Sequence, residues 1–314
     1  MRMIKPATIV PANLDSKVPQ NDAPAWASGT SYKAKDRVIR NNHVFESLAD
    51  TNTADPAADS ATAPKWLDVG ATNRWRMFDK SAGQVVTQGT TAVQRRVSQI
   101  GVFTSNPTSI DLTITPGSVV NGLALFGLTG YQVTVTMTDP VDGVVYGPRQ
   151  ISLVDPDAGD MWEWLFTPVD RIDSLVLTDL PAYGTASIRV LIEAGSGATA
   201  RCETLVVGEV VDLGEAIMGA QFGITDYSSK DVDTFGNEYV IERGYRNKVT
   251  FPIAVWPERV NFFRRLLTEY RARPAVWIGD ESLEWTLIYG RYRDLNVVRN
   301  HGAFSECTLE VGAL

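Results

Sequence analysis

Cysteine and histidine are almost absent: Cys202 and Cys307, His43 and His301, in 314 residues. Two cysteines exclude a disulfide framework and a four-cysteine zinc site, leaving at most one bridge between them. Two histidines exclude a histidine-rich metal centre. No G-x-S-x-G elbow accompanies them, Gly195-Ser196-Gly197 reads as a flexible turn, and neither a P-loop nor a dinucleotide fingerprint occurs. No apolar run approaches the ~20 residues of a membrane helix. Behind Arg2 and Lys5, Pro6 and Pro11 interrupt the place where a secretory leader would carry its apolar stretch, so no signal peptide is expected, and if the protein leaves a cell it does so by another route, lysis included. A basic tract is also missing. The formal charge is −8, concentrated in residues 80–214, where 7 Lys and Arg face 14 Asp and Glu. That surface repels phosphate backbones, and nucleic acid is not an expected partner.

Two fragments of catalytic or metal chemistry remain. Asp231, Asp233, Gly236 and Glu242 occupy four positions of a calcium-loop template, but Phe235 stands where a ligand is needed and strand patterning replaces the following helix. Glu163, between Trp162 and Trp164, is the best single carboxylate for glycoside hydrolysis, and no partner carboxylate can be named for it. The expectation is a protein without enzyme activity, metal or cofactor.

What the chain does contain divides into four parts. Residues 1–25 carry prolines at 6, 11, 19 and 24 and few large apolar side chains, which reads as an extended arm, either disordered or ordered against a neighbouring subunit. Residues 26–79 are punctuated by aromatics. Arg37-Val38-Ile39 and Val44-Phe45-Glu46-Ser47-Leu48 flank Asn41-Asn42, whose residue type tolerates the positive φ of a tight hairpin turn. The order Trp26, Tyr32, Asp36-Arg37-Val38, Val44-Phe45, Pro64-Lys65-Trp66 resembles the chitin-binding type of carbohydrate-binding module. The resemblance implies Trp26, Tyr32 and Trp66 as a flat sugar-binding face, with Phe45 inside; the alternative for each ring is plain core packing. The string W-x-D-x-G-x-T-N-R-W-x-M-F-D that starts at Trp66 resembles a recurrent feature of tail proteins in tailed bacteriophages. Within it Asn73, Arg74, Trp75 and Phe78 read as an interdomain joint.

Residues 80–213 alternate in short runs, at 110–115, 119–126, 131–138, 144–146, 175–177 and 187–192, separated by Pro-Gly, Asp-Pro and Asp-Gly turns. This spacing predicts an antiparallel β-sandwich. Gly122-Leu123-Ala124-Leu125-Phe126-Gly127-Leu128, then Tyr131-Gln132-Val133-Thr134-Val135-Thr136, then Trp162-Glu163-Trp164, is similar to jelly-roll, galactose-binding-like domains. On that likeness Trp162 and Trp164 are a second candidate sugar platform, with alternation of one ring into the core as the other reading.

Residues 214–314 contain strands at 239–243, 248–255, 275–278, 285–289, 295–299 and 307–311 and one helix, 257–273, opened by Pro257 and stopped by Pro274. Val260, Phe263, Leu266, Leu267 and Tyr270 form its apolar stripe. Arg259, Arg264, Arg265, Arg271 and Arg273 cover the rest, as a solvated face or as a contact to an acidic neighbouring subunit. The strings FGITDYS, DTFGN, YRARPAVWIGD and YGRYRDLN resemble a phage minor tail protein of the distal tail or baseplate, with a tail-tube-like sandwich and flanking helix.

The resemblances together imply a virion structural component of a phage tail tip or baseplate. It would form a homo-oligomer, assemble with other tail proteins, and contact host surface glycans or connect to receptor-binding fibres. The rival reading is a free carbohydrate-binding or polysaccharide-degrading protein.

Overall fold

Met3 and Ile4 are consecutive large apolar residues, and in an extended chain consecutive side chains point to opposite faces. Both are fully buried, because Arg2–Pro6 is a central strand of the largest sheet, flanked by Thr204–Asp212 on one side and Ala275–Ile278 on the other. The computed structural model describes residues 1–89, 91–154, 171–232, 234–298 and 304–314. The expected unpacked arm is therefore corrected at its start: proline content argued for extension, and the extension is used to fill a slot between two strands. Burying Met3 and Ile4 contributes about 1.5–3 kcal/mol each. Gly208, opposite Pro6, lets the strand come close, since a Cβ there would overlap the Lys5 carbonyl.

That sheet runs, edge to edge, through Leu175–Leu177, Gly122–Phe126, Thr204–Asp212, Arg2–Pro6, Ala275–Ile278, Leu287–Val298, Ser305–Ala313, Tyr245–Val255 and Glu215–Ala216, with Gln221–Asp226 also paired to Tyr245–Val255. Every pairing between its strands is antiparallel. A second sheet holds Gly143–Ser152, Gln132–Asp139, Ser187–Glu193, Ser109–Ile114 and Leu14–Ser16. Its inward positions, Val133, Val135, Met137, Ile188, Val190 and Ile192, pack against Leu123, Leu125, Leu205 and Val207 of the first sheet. This is the antiparallel β-sandwich that the alternating runs predict. Cys202 belongs to this core and Cys307 to the next, and both are free.

The other half of the large sheet is covered by the helix Val260–Glu269, which inserts Phe263, Leu266 and Leu267 beside Met3, Phe251, Trp277 and Leu309. The helix is shorter than 257–273. Pro257 lies in the turn that precedes it, and the residues before Pro274 leave the helical conformation, as a following proline demands. Ile4, Ala124, Val206, Val276 and Ile278 form a third cluster on the opposite face of the same strands. Burial on both faces explains why Thr204–Asp212, a run without clean alternation, is a strand.

Residues 37–71 fold as a three-stranded sheet, Arg37–Arg40, His43–Ser47 and Trp66–Ala71. Asn41 and Asn42 both take positive φ, 49° and 65°, in its first turn. Ser81–Gln88 and Thr91–Ser98 form a hairpin, tied to the three-stranded unit by the Thr62–Val93 bridge.

Candidate functional site

The proposed sugar face does not form as the sequence implies. Trp66 is buried, donates from Nε1 to the Ala54 carbonyl at 3.0 Å, and meets the Tyr32 ring edge-on at 5.4 Å. A three-stranded unit has too little apolar surface to spare its largest ring, so Trp66 serves as its core. Tyr32 is half-buried, its hydroxyl accepting from the Ala27 amide. Trp26 is half-buried beneath the Arg40 guanidinium, 4.8 Å from the ring centre, and Arg40 is held in place by a two-point ion pair with Asp55. Phe45 is half-buried. Trp162, Glu163 and Trp164 lie outside the described residues, as do Asp233 and His301.

The residues after the module knit three segments together. Asn73 donates to the Ser105 carbonyl and accepts from the Ser105 amide, while Arg74 donates to the Val18 carbonyl. Trp75 packs edge-on to Phe78, and Phe78 lies against the sandwich core. His43 supports the same region, with Nδ1 2.9 Å from Asp68 and Nε2 3.2 Å from Asp79. Burial alone would lower the His43 pKa; the hydrogen bonds to Asp68 and Asp79 outweigh it and hold it at about 9. Asp79 is shifted below the usual carboxylate range: burial opposes the shift, and hydrogen bonds from His43 and Ser81 overcome it. The cluster ties the strand His43–Ser47 to Asp68 on the neighbouring strand and to Asp79 beyond it, and reads as a clip.

Of the helix arginines, Arg259 is engaged within the chain, bonding the Asp212 carboxylate and carbonyl. Arg264, Arg265 and Arg271 are exposed, and Arg273 pairs with Glu269.

Sequence spacing did not reveal two further features. The first is an exposed apolar segment. Ser229–Val232 and Glu238–Ile241 form a two-stranded hairpin with almost no buried side chain. Among the described residues, ten of the 24 exposed large apolar side chains fall between positions 218 and 245, including Val232, Tyr239, Val240, Ile241 and Phe235, which is 90% exposed. Asp231 and Glu242, from the calcium-loop template, belong to this hairpin segment.

The second is a cleft of about 960 Å³ where the hairpin's base meets the large sheet. Phe126 and Tyr289 stack at 6.4 Å within it, and burial pushes the Tyr289 hydroxyl up to about 12. Phe222, Tyr245 and Trp285 line it, residues 48%, 59% and 41% exposed. Its polar groups are Lys80, Glu203, Asp173, Glu284, Arg246 and Asn247. Lys80 donates to the Val102 and Glu203 carbonyls, and burial lowers its pKa. Glu284 Oε1 accepts from the Asp173 and Ser174 amides at 2.8 Å, and burial raises its pKa. Arg246 Nε is enclosed, and no acceptor among the described residues reaches it. Trp285 is expected in a strand but sits in the 3₁₀ turn Glu284–Thr286 that precedes Leu287–Val298. These residues come from seven separated stretches, so no local motif could have gathered them.

Among the described residues no group of three or more His, Cys, Asp and Glu is placed to hold a metal ion, and no helix is long and apolar enough to cross a membrane. Comparison of the chain with family models, with curated proteins and with solved structures finds no match.

Proposed function

We propose that this chain is a structural component of a bacteriophage tail tip or baseplate, acting by assembly with copies of itself and other tail proteins and not by catalysis. The observation that carries the reading is the hairpin of residues 229–241. An isolated two-stranded hairpin is marginal in water, and this one exposes core-type side chains on both faces. Apolar surface concentrated in this way marks a protein contact. Support also comes from the phage tail resemblances of residues 66–79 and of the C-terminal strings. Exposed Arg264, Arg265 and Arg271 would serve as a cationic contact to an acidic neighbour. Glycan contact or connection to a fibre completes the role.

The test is the mass of the purified protein by light scattering, with localisation in phage particles by cryo-electron microscopy. A defined oligomer at the tail tip, lost in a Tyr239→Asp, Ile241→Asp variant, is the expected result. A wild-type monomer at high concentration that is absent from particles would overturn the reading.

A further inference from the structure

We infer that the cleft walled by Phe222, Tyr245 and Trp285 binds a segment of an uncharged polysaccharide. The inference deepens the glycan-contact part of the assembly reading and rests on it for the ligand's role.

The argument starts from the rings. Three aromatic side chains are each two-fifths or more exposed, yet all open into one concavity. Leaving such area wet is unfavourable unless something covers it. A sugar ring is amphipathic in the matching sense, with C–H groups on its faces and hydroxyls round its edge, so it stacks on the first and hydrogen-bonds with the second. The cleft supplies the second kind of partner as well. Glu203, Glu284 and Asp173 accept from hydroxyls, Asn247 both donates and accepts, and Arg246 brings a guanidinium donor to the lining.

The charges of Lys80 and Arg246 against Asp173, Glu203 and Glu284 nearly cancel, which favours neither a polyanion nor a polycation. The volume, about 960 Å³, lies at the top of the range for ligand clefts and suits a chain of sugars. An apolar peptide, such as a hairpin from another copy, would cover the rings but bring few hydroxyls to the polar groups between them.

The experiment presents the full-length protein to an array of immobilised bacterial surface polysaccharides, then titrates a retained glycan by calorimetry. Binding is expected, weakened about tenfold or more by Trp285→Ala and by Tyr245→Ala, lowered by Arg246→Met, and unchanged by Trp26→Ala. The two ring variants lie on different segments, and thermal midpoints check that each is folded. Retention of nothing overturns the site, as does binding that survives both ring substitutions or disappears with Trp26→Ala. So does a result in which the ring variants abolish self-association and leave glycan binding intact, which would assign the cleft to a peptide. Mass measured on the same samples keeps the two ideas apart: an oligomer that binds no glycan ends this proposal and preserves the assembly reading.

Discussion

Trp66 and Trp26 illustrate how one residue type takes two roles within forty residues. Trp66 is 1% exposed and anchors the small sheet, whereas Trp26 is a half-buried ring under Arg40. Trp66→Ala is expected to destabilise by about 3–5 kcal/mol. Trp26→Ala should cost about 1–2 kcal/mol, the scale of a partly desolvated cation–π contact. Urea denaturation of the two variants separates them, and equal losses would contradict this assignment. His43 sets a pH dependence whose direction follows from its pKa. Because the folded value, about 9, lies above the ordinary 6.5, the stabilisation it brings is whole below pH 6.5 and is lost as pH rises through 9. Asp79 acts in the opposite sense, contributing above the usual carboxylate range and losing its part in acid. The thermal midpoint of the wild type should therefore fall between pH 6.5 and about 9.5, and a His43→Gln variant should show a flatter profile.

At the scale of elements, legibility followed local chemistry. The Asn41-Asn42 turn, the alternating strands of the sandwich and the apolar stripe Phe263, Leu266, Leu267 were readable because a turn or a face decides them alone. Arg2–Pro6 and Thr204–Asp212 were not, since burial on both faces erases alternation and only the distant partner makes a strand of them. Leu287–Val298 reads as two strands and is one, its irregularity between Tyr292 and Asp294 being a shift of register. The cleft was illegible for the same reason: Trp285 and Tyr245 come to line one cavity only through the pairing of strands distant in sequence. The hairpin 229–241 carries a prediction of its own. No residue of either strand is fully buried. Replacing it with a short turn should therefore move the thermal midpoint by less than about 2 °C while removing self-association in light scattering. A large loss of stability would mean that the body leans on it.

Over the whole molecule the large sheet crosses the boundary that composition suggests near residue 214, with strands from both sides meeting at Arg2–Pro6. Arg2 adds bonds to Thr178 and Glu281, one from each side. Gly208→Val, which fills the space taken by the Lys5 carbonyl, should expel this strand and unfold both halves in a single transition, visible by calorimetry as one displaced peak. Two independent transitions would show that the halves do not depend on the strand. The same arrangement governs how the protein can be made. Translation delivers Met3 and Ile4 long before the strand they must join on one side, Ala275–Ile278. Throughout that interval the growing chain carries an apolar segment with half of its slot missing, so this part of the sheet closes only once Ala275–Ile278 has emerged, and until then Met3 and Ile4 need shelter from other partners.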